Sequence, residues 1–572
     1  MSSLAPTLLD SLLRLLPAPG ATRLDPPEQL ALRQVVSALA AALERGELGL
    51  DLEGPAPPEL EPQADGGSEA SSRAAPGWPA AQLAALEACG WLVDANALED
   101  QPEAPVVRAG RWLRWRRWAQ QLSHCIAGLI ERGRKGVAPA PSADQRRQAR
   151  DQASAAGLDA QQSAAVQALL EHQLVLLSGG PGTGKTSTVV QMLAAALRLQ
   201  PRLRLQLAAP TGKAAARLGA AVAAGAPALE ADLAERLATL PCGTLHRLLE
   251  SRADGAGFGR RPGRELELDL LVVDEVSMVD LPLMQALLAA LPQHARLLLV
   301  GDPNQLPPVG PGAVLLELCR PETLADLGPA AVELRTTYRN DGAIATLASA
   351  MRSQAEPGGE LLQALRPRLE QLRPSDNVTW QEAPAATPPL DALARLREHQ
   401  QRLGELAAAL GVLNPQASPA GAPAAVALLA ELERLILLSP VRQGPWGVEE
   451  VQRALLGEAH AGPMQRWPIG TPVLNRRNLP EQELANGDIG VLVAAPDDGR
   501  LVLFPGGRLL HPTRLAAAEP ALALTVHKAQ GSQYGEVLLL LPSGRHLDAR
   551  LLYTGLTRAR RRARLYTAPL PA

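Results

Sequence analysis

Gly179-Gly180-Pro181-Gly182-Thr183-Gly184-Lys185-Thr186 follows the apolar run QLVLLS and opens the run STVVQMLAAAL, whose composition is helical. Glycines at those positions let backbone N–H groups wrap phosphates, Lys185 would reach the β and γ oxygens, and the Thr186 hydroxyl would take Mg2+. A plain turn needs neither the lysine nor the threonine. Further along, LDLLVVDE ends in Asp274 and Glu275. Asp274 can hold Mg2+ through water, and Glu275 can orient and deprotonate an attacking water, which implies hydrolysis more than transfer to a second substrate. A third apolar run, ARLLLVGD, leads into Pro303-Asn304-Gln305-Leu306-Pro307-Pro308-Val309-Gly310. At the C-terminal edge of a parallel sheet this loop would face the phosphates, where Gln305 could sense the γ-phosphate.

The rare residues sharpen this reading. The chain has 572 residues and 56 Lys+Arg, yet lysine occurs only at Lys135, Lys185, Lys213 and Lys528. Ammonium and guanidinium groups are not interchangeable, so an arginine-biased chain keeps lysine chiefly where a planar fork would fail. Tyrosine is equally scarce, at Tyr338, Tyr534, Tyr553 and Tyr566. The net charge of −3 gives no global basic field, so any grip on nucleic acid must come from local clusters. Cys89, Cys125, Cys242 and Cys319 lie too far apart for zinc-knuckle or iron–sulfur spacing, and a reducing cytoplasm is the expected compartment. The N-terminal stretch lacks a basic leader, and no run reaches about 18 uncharged apolar residues, so neither export nor membrane spanning is expected.

These side chains need elements to hold them. The runs QLVLLS, LRLQLAA, LDLLVVDE and ARLLLVGD alternate with helical segments, the pattern of a parallel sheet covered on both faces. A second series, RLILLSPV, EVLLLLP and RARLYTA, predicts a second such sheet. Between them, residues 467–515 carry turn signals at Asn486-Gly487, Asp498-Gly499 and Gly506-Gly507, which predict a small inserted antiparallel barrel. Residues 355–430 read as largely helical. Upstream, residues 1–50 read as amphipathic helix through Leu8, Leu9, Leu12, Leu13, Leu15 and Leu16, residues 51–80 as a mobile loop, and 133–157 as a polar linker. Trp112, Trp115 and Trp118 recur every third residue among Arg111, Arg114, Arg116 and Arg117. That spacing suits one buried helical face better than a nucleic-acid platform.

Taken together, GGPGTGKT, LAAPTGKAAARL, GTLHRLL, LLVVDEVSMVD, GDPNQLPPVG, LRTTYRN, LTVHKAQGSQYGEV and YTGLTRARRR resemble, in order and spacing, the motifs of superfamily 1 helicases. In detail they are similar to the RecD family, the alpha subunits of exodeoxyribonuclease V in RecBCD-type helicase–nucleases, over the span from Leu158 onward. The segment from Arg442 to Val448 adds to the likeness. The resemblance implies two RecA-like α/β motor domains, at 158–345 and 346–572, the second carrying an SH3-like barrel at 467–515. It would set an α-helical domain at 1–130 and a linker at 131–157 ahead of them. It also implies ATP with Mg2+, and 5′-to-3′ movement on DNA. Gln162 matches the glutamine that reads adenine, while Arg339 and Arg558 match two arginines that approach the γ-phosphate from the second domain. Thr211, Lys213, Thr244 and His246 match contacts to single-stranded DNA on the first domain, and Thr525, His527 and Lys528 match contacts on the second. Gln533 departs from the family pattern, standing where an acid usually binds the nucleotide ribose, so weaker nucleotide selectivity is expected.

The implied function is a motor subunit that processes double-strand DNA ends beside RecB-like and RecC-like partners in a heterotrimer. A stand-alone RecD-like or relaxase-type helicase is one alternative, and a P-loop ATPase acting as a DNA-bound switch is another. No acid–x–Lys nuclease pattern surrounds Lys135, the one lysine outside the motor motifs, so a nuclease would reside in a partner. Residues 1–130 hold five of the eight tryptophans, Trp78, Trp91, Trp112, Trp115 and Trp118, and are expected to dock that partner.

Overall fold

The computed structural model describes residues 24–569, apart from 45, 58–59, 61–76, 253–256, 339–342, 353–358, 374, 414–418, 420, 483, 497–498, 516 and 543–547. The leucines from Leu8 to Leu16 and most of the 51–80 stretch lie outside the described residues. The N-terminal module between Leu24 and Trp115 is not all-helical. Four short strands, β1 (Gly49–Asp51), β2 (Leu92–Asp94), β3 (Val106–Ala109) and β4 (Trp112–Trp115), form one sheet in the order β1-β4-β3-β2. Helices Pro26–Glu44 and Ala80–Ala88 pack on it through Leu32, Val35, Leu39, Ala85 and Leu86. The every-third-residue tryptophans misled because a strand also accommodates Trp-Leu-Arg-Trp. Leu113 turns inward while Trp112 and Trp115 stay half-buried, and the helix begins only at Arg116. Trp91 fills the module's own core, and the Trp78 indole N–H donates to Gly54 O at 3.3 Å.

The helix Arg116–Arg134 bridges this module and the motor, its first turn held by Ala104 and Val107 and the rest by the motor core. Its Leu122, Cys125 and Leu129 are buried in one cluster with Leu174, Leu176, Leu297 and Leu299 of the first motor sheet. Nor is 131–157 a linker. Ser142 caps a helix over Ala143–Ala155 through a capping box with Gln145, and Ala149 and Ala153 sink into the core beneath Val166 and Leu193. Small alanines on one face of a polar helix give a weak periodic signal, which hid the element.

The first motor sheet is parallel throughout, in the order β10-β5-β9-β8-β6-β7. Its strands are β5 (Leu174–Gly179), β6 (Leu205–Ala209), β7 (Cys242–Thr244), β8 (Leu270–Val273), β9 (Arg296–Gly301) and β10 (Ala331–Leu334). The four predicted strands are present, and β5, β8 and β9 are buried along their whole length because helices cover both faces. The second sheet, also parallel, runs β11-β20-β19-β12-β18, with β11 (Val378–Glu382), β12 (Leu435–Ser439), β18 (Ala523–Thr525), β19 (Tyr534–Leu541) and β20 (Ala559–Thr567). Strand β11 sits inside the stretch read as helical. Between β12 and β18 the chain makes a five-stranded antiparallel sheet, β16-β15-β14-β13-β17, from β13 (Pro472–Asn475), β14 (Ile489–Ala494), β15 (Arg500–Phe504), β16 (Arg508–Leu510) and β17 (Ala518–Pro520). The insert thus extends past 515, to Pro520.

Candidate nucleotide site and domain cleft

Three adjacent central strands, β5, β9 and β8, end side by side, and their C-terminal edges deliver Gly179, Asp302 and Asp274 to one place. This is the edge where parallel sheets bind ligands. The loop after β5 turns through Gly182 and Gly184, both near φ +79°, into the helix Lys185–Leu199. A side chain at Gly184 would be strained and crowded, since a Cβ there would lie 2.5 Å from Gln162 Nε2. Gly184 offers no side-chain cap, so the helix's first N–H groups point into the loop as an anion-binding nest. The Lys185 ammonium donates to Gly179 O at 2.6 Å and Gly180 O at 2.8 Å, directly beneath that nest. Thr186 is half-buried on the same turn.

Gln162 is buried beside this loop, but its amide is already engaged. Oε1 accepts from Asp159 N at 3.1 Å in a capping box, and Nε2 donates to Thr183 O at 3.3 Å. Tyr338 closes the same edge, with its N–H on Gly182 O at 2.9 Å and its hydroxyl on Asp159 Oδ2 at 2.6 Å. Arg339, the next residue, lies outside the described residues.

Asp274 is enclosed, and burial together with the Glu275 carboxylate pushes its carboxyl up to about 6. Two adjacent carboxylates in a low-dielectric site call for a cation. Lys185 and Arg217 oppose that rise from within the chain, and a divalent ion held by Asp274 and Thr186 would do so further. Glu275 stands in the left-handed region at φ 53°, ψ 43°, a strained backbone for a non-glycine residue. Gln305 Oε1 is buried without a hydrogen-bond partner, an acceptor aimed at nothing in the chain. Each of these features fits a nucleotide with its metal.

From the second domain Arg558 reaches into this cleft, 2% exposed, with Nε on Thr554 O at 3.1 Å and Nη1 on Ser532 O at 3.2 Å. Burial holds its guanidinium below the ordinary arginine range, while the Glu275 charge works the other way. Further bonds tie the domains together beside it. Tyr553 Oη donates to Asp302 Oδ2 at 2.7 Å, Leu306 N donates to Thr554 Oγ1 at 2.9 Å, and Gln530 Nε2 donates to Leu306 O at 3.1 Å. Tyr553, Thr554 and Gln530 lay within recognised motifs, but which partner each would meet is a tertiary fact. Arg217, at 3.8 Å from Glu275 Oε1, stands in the quoted motif LAAPTGKAAARL, but nothing in the sequence singled it out from the other arginines as a partner for Glu275.

The residues expected at DNA separate into two groups. Thr211 and Thr244 cap helices at the ends of the neighbouring strands β6 and β7, each accepting a backbone N–H through its hydroxyl. His246 is exposed nearby, its ring 6.1 Å from that of Phe258. Thr525 ends β18, and its hydroxyl accepts from Lys528 N at 3.3 Å. Lys528 pairs with Glu519 of the inserted sheet, and burial holds the His527 imidazole below its ordinary value. Lys213 joins neither group, because its ammonium lies over the Tyr534 ring at 5.2 Å between the two domains. Gln533 is half-buried just ahead of β19.

Known families match the chain on both sides of this cleft. An AAA domain model matches residues 162–311 and a UvrD-like helicase C-terminal domain model matches 520–566. The chain is 40% identical over 425 residues to the RecBCD enzyme subunit RecD of Mycolicibacterium smegmatis, covering 71% of each chain. It is 38% identical over 500 residues to that of Mycobacterium tuberculosis, covering 85% of this chain and 80% of the relative. The ATP-dependent RecD2 DNA helicase of Deinococcus radiodurans is 34% identical over 71% of this chain but only 48% of its own length. A solved Pif1 helicase aligns at 18% identity with a TM-score of 0.39, over 73% of this chain and 93% of its own, too loosely to argue from.

Proposed function

The chain belongs to the RecD family of RecBCD enzyme subunits, and on that premise we propose that it moves 5′ to 3′ along DNA in a cytoplasmic heterotrimer with RecB-like and RecC-like chains that processes broken DNA ends. It is an ATP-hydrolysing DNA helicase subunit, as family membership carries. The observation that best supports a motor is Arg558. A guanidinium of the second domain is buried against the Glu275 and Asp302 charges of the first, so closure of this cleft and completion of the catalytic site are one event.

In this reading the backbone N–H groups of Gly182, Thr183 and Gly184 and the Lys185 ammonium take the β- and γ-phosphates. Thr186 and Asp274 would hold Mg2+, which would offset phosphate charge. Glu275 orients the attacking water and accepts its proton, and the unpartnered Gln305 Oε1 accepts from that water beside the γ-phosphate. Arg558, with Arg339, meets the charge that grows on the leaving oxygens. Gln162 and Gln533 face the base and ribose. Hydrolysis removes the charge that Arg558 answers, and the cleft reopens. Thr211, Thr244 and His246 on one side and Thr525, His527 and Lys528 on the other would then release and regrip the strand in alternation. Lys213, turned to Tyr534, would leave its aromatic contact to join them.

Glu275→Gln tests the reading. We expect ATP binding to persist while hydrolysis falls about 10²- to 10⁴-fold, the range typical for a lost general base. Strand displacement by the assembled complex should need a 5′ tail. Wild-type turnover in Glu275→Gln, or unwinding from 3′ tails, would overturn it, and activity of the isolated chain without partners would favour a stand-alone helicase.

A further inference from the structure

Arg217 is not explained by the site as described. It sits in the second turn of the helix Gly212–Gly225, in the first domain, and its guanidinium reaches in two directions. Nη2 lies 3.8 Å from Glu275 Oε1, while Nη1 donates to Gly531 O of the second domain at 3.4 Å. Both contacts are long, so exchanging one for a tighter version of the other costs little. About a third of the side chain remains exposed, enough room for that exchange.

We infer that Arg217 is a positioning residue that aims the Glu275 carboxylate and makes that aim depend on where the DNA-facing segment of the second domain sits. The inference rests on the readings of Glu275 as the water-orienting group and of Thr525 and Lys528 as strand contacts. Among the described residues Glu275 has a single ion-pair partner, and that partner is Arg217. Its backbone is already strained, so its side chain depends on neighbours for direction.

Gly531 supplies the second half. It has φ +72°, and a Cβ there would lie 3.1 Å from Thr211 Oγ1 and 3.3 Å from Ala214 Cβ. The chain just after Thr525, His527 and Lys528 therefore packs, at Gly531, on the first turn of the helix that bears Arg217. A strand that engages Thr525 and Lys528 pulls on Gly531 and loosens the 3.4 Å bond. The freed guanidinium then closes on Glu275 and steadies the carboxylate. In the absence of DNA the fork is shared, and Glu275 is poorly held. A lysine could not serve, because one ammonium on a flexible stem cannot span both partners with fixed geometry.

The test is steady-state ATPase of the full chain, with and without a single-stranded oligonucleotide, alongside DNA affinity by fluorescence anisotropy. Arg217→Gln should lower kcat about ten- to a hundredfold in the presence of DNA, the size expected for a misplaced catalytic group. KM for ATP and DNA affinity should stay within about twofold, and the ratio of DNA-stimulated to basal turnover should fall towards one. Arg217→Lys should recover part of kcat but not the ratio. Gly531→Ala, which lifts the segment from the helix, should reduce the ratio in the wild-type background and have no further effect beside Arg217→Gln. Wild-type stimulation in Arg217→Gln, with Glu275→Gln inactive, would overturn the inference and leave the site reading standing. A raised KM with unchanged kcat would also overturn it, making Arg217 a nucleotide-binding group. Full hydrolysis by Glu275→Gln would instead bring down the reading beneath it.

Discussion

Glu275 concentrates the residue-scale physics of this protein. A glutamate at φ 53° gives up roughly 1–3 kcal/mol relative to a relaxed backbone, and here it also sits buried next to Asp274. Stability and catalysis therefore pull in opposite directions at one position. Glu275→Gly should abolish hydrolysis yet stabilise the fold by about 1 kcal/mol, since glycine occupies the left-handed region freely and one buried carboxylate is gone. A urea melt of the variant beside Glu275→Gln, which keeps the strain, separates the two contributions. Equal midpoints would mean that the backbone at 275 stores nothing. Lys185 is the simpler case, because its ammonium donates to the loop's own carbonyls and can turn to a phosphate without moving the backbone. Lys185→Gln should leave the melt nearly unchanged and reduce ATP hydrolysis by orders of magnitude.

Among the elements, the helix Arg116–Arg134 decides where the protein can be cut. Leu129 is fully buried against the first motor sheet, so Leu129→Ala should cost about 2–5 kcal/mol. Removing residues 1–130 takes Leu122, Cys125 and Leu129 out of that core. The remainder should aggregate or melt far below the whole chain in a thermal scan. Removing 1–115 leaves the helix whole, and DNA-stimulated ATPase should survive. A folded, active product of the longer deletion would show that the helix only decorates the motor.

Across the whole molecule, the N-terminal module is seated on the same loop that carries Gln305. Gly312 N donates to Gly46 O at 3.0 Å, and Leu48 packs in the first motor cluster. The Arg114 guanidinium, 8% exposed, pairs with Glu317 at 3.0 Å, while Arg114 and Arg320 both lie over the Trp112 ring. Burial holds Arg114 below its ordinary value, with Glu317 opposing that. Glu317→Ala would strand a buried cation, costing about 3–5 kcal/mol by chemical denaturation, whereas a surface pair would cost less than about 1. We propose that this module docks a partner, and on that reading the 1–115 deletion should lose co-purification with the nuclease-bearing chain. DNA affinity of the whole complex should fall steeply between low and moderate salt, because backbone tracking releases counterions. A flat response would contradict it.

The phosphate loop, Asp274 and Glu275 stood out in the sequence because phosphate chemistry tolerates few substitutes and leaves local patterns beside strands and helices, whereas Arg558 was marked only by the family likeness. Strands β5, β6, β8 and β9 were legible for a similar reason, since a sheet covered on both faces must be apolar along its length. Short amphipathic pieces were not legible: β4 mimicked a helix through a spacing of three, and the Ala143–Ala155 helix passed for a linker because its buried face is only alanine. The contacts that make the cleft a cleft left no trace in sequence at all. Arg217 with Gly531, Tyr553 with Asp302 and Thr554 with Leu306 join residues hundreds of positions apart. Each such pair forms across the cleft between the two sheets, a geometry set by long-range packing and not by any periodicity within one segment.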